Sequence, residues 1–274
     1  MKTILVITDH SNAAEHAARF ALCIAQMLPA KVLLAHNSVP EIAPAEHVLA
    51  GDGAEETLCL KANHVFDNLT ALNIAHDGFK PEIDEINIAD KLDSQLIEFI
   101  NQDHIWMVVK GMPAHATTSV HEINLNSILN RVQCPLMLVP EGWPLKQIER
   151  IAYMADLRYC RTRIVRYLEE LAGASGADLS VAHLSAKGLP HMAEDYALSV
   201  FSEEVSGNAQ YERLFFNNIR ERDLPTAVDV IINGLHTDLL AIVNHRFHFE
   251  EIMGMYITNQ LPLYITVPLL IFPY

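Results

Sequence analysis

Short apolar runs alternate with stretches of helical spacing along this chain. Residues 3–8 carry no charge and centre on Ile4–Ile7, as expected of a strand buried on both faces. Ser11 then offers a helix N-cap. Ala14, Ala17, Ala18, Ala21, Ala25 and Leu28 recur at helical spacing, a narrow small-residue stripe able to lie close on a sheet. Pro29-Ala30 ends that helix, and Lys31–Ala35 reads as a second strand. The long connection Pro40–Gly53 leads to a helix near 55–73, a strand near 81–88 and a helix near 91–102. A strand at 105–110, a helix at about 120–132 and a strand at 135–139 follow. The later residues predict strands near 150–155, 178–183, 210–217, 238–243 and 267–272. Such alternation predicts a parallel, doubly wound α/β sheet with right-handed crossovers, which binds ligands beyond the carboxyl ends of its strands. Asp9 and Gly111 read as residues just past strand ends, and so do Asp156 and Asn244.

The pattern occurs twice. Lys2-Thr-Ile-Leu-Val-Ile-Thr-Asp9 is echoed by Glu149-Arg-Ile-Ala-Tyr-Met-Ala-Asp156. His36 follows Asp9 by 27 residues and His183 follows Asp156 by the same 27, each closing an Ala-x4-Ala-His frame. Cys134-Pro135-Leu-Met-Leu-Val-Pro140 parallels Val267-Pro268-Leu-Leu-Ile-Phe-Pro273. Two homologous domains are therefore expected, at 1–141 and 149–274, with the Gly- and Pro-marked residues 142–148 as linker.

Composition narrows the function classes. Apolar residues make up 50% of the 274 and charged ones 19%, too apolar for a disordered chain. The net charge of −15 repels phosphate backbones, so nucleic acid is not an expected partner. No apolar run resembles a signal-peptide core. The uncharged stretch from Ile252 to Tyr274 is interrupted by Thr258-Asn259-Gln260 and three prolines, so no membrane partner is expected and the cytoplasm is the expected location. Cys23, Cys59, Cys134 and Cys160 form no CxxC pair and read as reduced, mostly buried thiols.

At these residues the chain resembles the tandem form of the universal stress protein family. The carriers are Thr8-Asp9-His10-Ser11, the strand ending at His36, Met107-Val-Val-Lys-Gly111, and the closing Cys134–Pro140. The resemblance implies two flavodoxin-like domains, each with a five-stranded parallel sheet of order 3-2-1-4-5, paired through their fifth strands as a pseudo-dimer. A homodimer of such chains and an unknown protein partner are further expectations.

Many family members bind ATP through a G-x2-G-x9-G-[ST] loop after strand four, where glycines let backbone N–H groups reach phosphate. The Asp after strand one meets the adenosine. Here the first domain offers Asp9, His36, Gly111, Ala114, Asn124 and the hydroxyls Thr117, Thr118 and Ser119, while Leu125 stands at the Ser/Thr position. The second offers Asp156, His183, Asn244, Phe247, Ile257 and Thr258. Counting back from the prolines instead puts Glu122-Ile123 and Met255-Tyr256 at the last pair. Gly111 and Asn244 both stand 24 residues before Pro135 and Pro268, which sets them as equivalents. Phe247 and Ile257 are bulky where positive φ is wanted, whereas Asn124 tolerates a left-handed backbone. Asp9 has a plain alternative as a helix-capping residue, and Asp156 as a partner of Arg158, Arg161 or Arg163.

The expected function is accordingly a non-catalytic, regulatory binding protein of the stress response with degenerate nucleotide loops. ATP or another adenylate in the first domain is the alternative, and a small molecule or metal in the altered loops is a third reading. His245 and His248 could share a helical face beside Glu250 and Glu251, and His115 and His121 lie near Glu122, but no HExxH or CxxC supports zinc, so no metal site is assigned. His36 and His183 read as structural. No GxSxG elbow or P-loop occurs, and Cys23 lies mid-helix in an apolar stripe, so no catalytic residue is assigned.

Overall fold

The computed structural model describes residues 1–36, 55–88, 93–115, 123–245, 247–254, 258 and 260–274. The first half runs β1 (Lys2–Thr8), α1 (Asn12–Met27), β2 (Ala30–His36), α2 (Glu55–Ala75) and β3 (Ile83–Asn87). It continues through α3 (Asp93–Gln102), β4 (Met107–Met112), α4 (Leu125–Arg131) and β5 (Leu136–Pro140). The second half has β6 (Arg150–Ala155), α5 (Thr162–Ser175), β7 (Asp178–Leu184), α6 (Glu194–Val200) and β8 (Leu214–Ile219). It closes with α7 (Leu224–Asp229), β9 (Leu239–Val243), α8 (Phe247–Met253) and β10 (Leu269–Phe272).

All ten strands form one sheet of order β3-β2-β1-β4-β5-β10-β9-β6-β7-β8. Each half thus has its strands in the order 3-2-1-4-5, all parallel within the half. The halves meet where β5 and β10 pair antiparallel, Met137 opposite Leu270, with Leu138–Leu269 and Leu136–Ile271 on either side. Those two pairs exchange when the halves are interchanged, so a pseudo-two-fold axis passes through the junction. Both strands are wholly apolar and buried, apart from the half-buried Pro140, because helices cover both sheet faces.

The alanine stripe explains how α1 sits. Ala14, Ala17, Ala18, Ala21 and Ala25 are all buried against the sheet, and small side chains let the helix approach closely. Ser11 caps it, its hydroxyl accepting from the Ala14 amide at 3.2 Å. Cys23 departs from expectation: the stripe is one-sided, and Cys23 lies on the exposed side of it. Cys134 is buried and Cys160 half-buried, each thiol pushed up to about 12 mainly by burial; the side chain of Cys59 is outside the description. The helix expected from about 120 starts at Leu125, and the strand expected from 210 starts at Leu214. Residues 142–148 are more than a linker, since Trp143 and Ile148 are buried in the common core. Among the described residues no helix is long and apolar enough to cross a membrane.

Candidate functional site at the strand ends

The carboxyl ends of β1 and β4 form the crevice of the first half. Asp9 is exposed there, and its Oδ1 accepts the Ser11 amide at 3.0 Å. Partial burial pulls its carboxyl upward, but hydrogen bonds from Ser11 and the Lys110 charge outweigh that and hold it below the ordinary value. The carboxylate therefore stays ionised and forms the turn that leads into the Ser11 cap. Next to it His10 adopts φ +61, a left-handed conformation that His tolerates. Its ring stacks on His36, centroids 4.9 Å apart with planes 17° from parallel. The His36 Nε2 lies 3.0 Å from Glu85 Oε1. Burial, then the facing His36, hold the His10 imidazolium below its ordinary pKa.

Gly111 lies inside β4 rather than past it. A Cβ there would stand 2.0 Å from the Ala13 carbonyl oxygen and 2.8 Å from the Ala14 amide. The first turn of α1 rests directly on the strand, so packing alone requires this glycine. Ala114 presents its amide as the phosphate loop demands, but that N–H donates to Glu141 Oε2 at 3.3 Å. Glu141 is pinned in turn, its own amide donating to the Met112 carbonyl at 2.9 Å. Asn124 has φ −73, not left-handed, and caps α4 by accepting the Ser127 amide at 3.1 Å. Thr117, Thr118 and Ser119 lie outside the described residues.

The second half treats the same crevice differently. Asp156 is buried, with 3% exposure. Its Oδ1 accepts the Arg158 amide at 3.1 Å. Its Oδ2 accepts the Arg158 guanidinium at 3.0 Å and the Ala186 amide at 2.9 Å. Of the three arginines considered, Arg158 is the partner. The short 3₁₀ turn Leu157–Tyr159 that Asp156 caps brings it there. His183 is buried too, and its Nδ1 accepts the Leu157 amide at 3.2 Å. His248 on α8 sets its Nε2 2.9 Å from the Leu184 carbonyl. Burial is the main cause that holds both imidazoliums below their ordinary pKa. The space that Asp156, Tyr159, Val243 and His248 enclose is about 20 Å³, room for one water, while a wider polar cavity of about 590 Å³, which Asp156 does not line, opens beyond Ala186 and His248.

The equal counts back to the prolines do not survive in the strands. Val108 donates to the Pro135 carbonyl and Leu240 to the Pro268 carbonyl, so Gly111 corresponds to Val243, and Asn244 to Met112. Asn244 instead serves the junction between the halves. Its amide donates to Asn130 Oδ1 of α4 at 2.8 Å, and His245 Nε2 approaches the same oxygen at 2.7 Å. Phe247 opens α8, its side chain outside the description; Ile257 lies outside the described residues. Thr258 donates to the Gln260 carbonyl at 2.9 Å, closing its own turn.

The metal reading of the histidines separates in the same way. His245 sits in a left-handed turn before α8 begins and points to Asn130, while His248 points to Leu184, so they share no face. Among the described residues no three His, Cys, Asp or Glu side chains converge to hold a metal; His121 and Glu122 fall outside them. The residues that decide both crevices, Glu141, Arg158 and Asn130, carry no motif. Only the Glu141-Gly-Trp sequence, acidic and aromatic within a supposed linker, hints at them.

Two doubly wound α/β halves, each with an acidic residue at the end of its first strand and joined edge to edge, define a tandem flavodoxin-like protein. The family model described as "Universal stress protein family" matches residues 1–140. The chain belongs to the universal stress protein family. A universal stress protein from Archaeoglobus fulgidus DSM 4304 has a similar structure, with TM-score 0.61 and 10% identity, over 98% of this chain and 97% of that one. A putative universal stress protein from Pseudomonas aeruginosa UCBPP-PA14 is similar with TM-score 0.51 and 12% identity, over 99% of this chain and 93% of that one. At such identities the likeness concerns the fold. No curated protein matches the sequence.

Proposed function

We propose that this chain is a regulatory binding protein of the stress response that neither grips a triphosphate nor turns one over. The observation that carries the reading is the second crevice. Its Asp156 carboxylate has both oxygens committed to Arg158 and Ala186, and the space it lines is about 20 Å³. A ribose hydroxyl would have to displace the exposed Arg158 from the buried Asp156 carboxylate to be read there. The first crevice adds an electrostatic obstacle. Glu141 holds the Ala114 amide, so negative charge stands where the loop of nucleotide-binding relatives offers a donor. A protein partner, not a reaction, is then the route by which this chain acts, and two chains associating is one form of it.

Calorimetric titration of the full chain with ATP and magnesium tests this. The expected result is no saturable heat at tens of micromolar protein. Low-micromolar binding overturns it. One observation favours a second reading confined to the first half: Asp9 is exposed and ionised, free to meet a ribose, whereas Asp156 is not. An adenylate bound there is lost in Asp9→Ala and unaffected by Asp156→Asn.

A further inference from the structure

The pseudo-two-fold axis creates two equivalent junctions between the halves, and among the described residues they are built differently. At the first, His16 and Phe20 of α1 face the segment after β5. Trp143 of that segment is buried, its indole edge-on to Phe20 with centroids 5.3 Å apart and planes at 84°. Burial holds the His16 imidazolium below its ordinary pKa, with the Trp143 backbone and then the Glu141 carboxylate pulling the other way. The chain thus lays an aromatic ring and an acid against its own first junction.

At the second junction the counterparts of His16 and Phe20 are Arg163 and Tyr167, since β1 and β6 match with Asp9 against Asp156. Among the described residues no counterpart of Trp143 stands over them. A cavity of about 320 Å³ does, lined from both halves. Its wall is aromatic and fixed. Tyr167 stacks on Trp106 at 4.4 Å with planes 11° apart, meets Phe272 edge-on at 5.2 Å, and donates its hydroxyl hydrogen to the Trp106 carbonyl at 3.1 Å. Arg163 stands exposed at the rim. Its one hydrogen bond among the described residues is to the Pro273 carbonyl at 3.5 Å, and no carboxylate pairs with it.

We propose that this cleft binds a small aromatic carboxylate, its ring against the Trp106 and Phe272 wall and its acid on Arg163. The volume lies near the lower end of the roughly 300–1,000 Å³ of ligand pockets, which suits one ring with a short acidic arm. A guanidinium beside an aromatic wall recognises that pairing by a forked, charge-assisted contact. The first junction is the internal precedent, where ring and acid come from the chain itself. The site shares no lining residue with the space beside Asp156 and does not depend on what that space holds.

The chain holds two tryptophans, so Trp143→Phe leaves Trp106 as the sole indole reporter of the cleft. Its emission is followed while 3-phenylpropanoate is added, with 3-phenylpropanol as the neutral twin; calorimetry on the unmutated chain repeats the measurement without the substitution. The expected result is saturation by the acid at roughly 0.1 mM, the range typical for so few heavy atoms, and weaker binding of the alcohol. Arg163→Gln weakens the acid about tenfold and leaves the alcohol unchanged, with far-UV circular dichroism confirming the fold. The proposal is overturned by no saturation below about 10 mM in either format, by equal affinity for acid and alcohol, or by an Arg163→Gln protein that folds and binds the acid undiminished.

Discussion

The two halves share a strand order but differ at the point where a ligand of this fold is held. In the first, α1 begins at Asn12, three residues after Asp9; in the second, α5 begins at Thr162, six after Asp156. The difference traces to one pair of corresponding positions. Gly111 has no side chain, so the first turn of α1 comes down onto β4, with Ala13 where a Cβ would be. Val243 has one, and the chain interposes the 3₁₀ turn Leu157–Tyr159 before its helix. That turn brings Arg158 to Asp156 and occupies its carboxylate. An exposed aspartate at one strand end and a buried, paired one at the other therefore accompany a helix start displaced by three residues. The lesson is that a missing glycine acts first through helix packing and only then through phosphate.

The largest effect should come from copying the second half into the first. Gly111→Val places branched carbons against the Ala13 carbonyl, where even a Cβ would be at 2.0 Å. Relief requires α1 to lift from β4, and a loss of about 3 kcal/mol or more is expected. Chemical denaturation monitored by circular dichroism measures it. An unchanged midpoint would sever the link drawn between this glycine and the helix start.

Next in size is the contrast between the two aspartates. Asp156→Ala strips the buried Ala186 amide of its acceptor and the Arg158 guanidinium of one of its two, and about 2 kcal/mol is expected. Asp9→Ala removes only an exposed turn bond to Ser11, with Ser11 still capping α1, and about 0.5 kcal/mol is expected. Equal losses in paired thermal melts would mean that the two strand ends are alike after all.

Most of the fold was legible because its signals are local. Charge-free runs bounded by turn residues mark the inner strands, and the one-sided alanine stripe marks α1 and the face it buries. The paired Asp-to-His intervals registered β1, α1 and β2 against β6, α5 and β7, and the strands match accordingly. The same counting failed for β4 and β9 by one residue, because the connection to the following proline is not the same length in both halves. Trp143 was hidden by its neighbours, since Gly142 and Pro144 signal a solvent-exposed link while the indole between them anchors a junction. The choice of Arg158 over Arg161 and Arg163 depended on a 3₁₀ turn that has no periodic pattern of its own. The Asn130–Asn244 bond joins residues of different halves, and no local rule reaches that far.

The smallest predicted effect probes the second strand end through protons. Burial holds His183 below its ordinary value of 6.5 and outweighs Asp156 and the Ala155 carbonyl, which lies 3.4 Å from Nδ1 and pulls the other way. The unfolded chain then takes up the proton more readily than the folded one. Stability from this group is intact well above pH 6.5 and drains away as pH falls through that value, until the lower folded pKa is passed. His248 is held low by burial in the same way and contributes a parallel loss. His183→Gln keeps a side-chain amide in the site and removes the titration. It should flatten the dependence of unfolding free energy on pH between about 7 and 5, by no more than about 1 kcal/mol per pH unit, leaving the His248 share in place. Denaturant unfolding at a series of pH values reads the slope directly. A slope identical in variant and parent would mean that His183 meets water in the folded chain as freely as in the unfolded one.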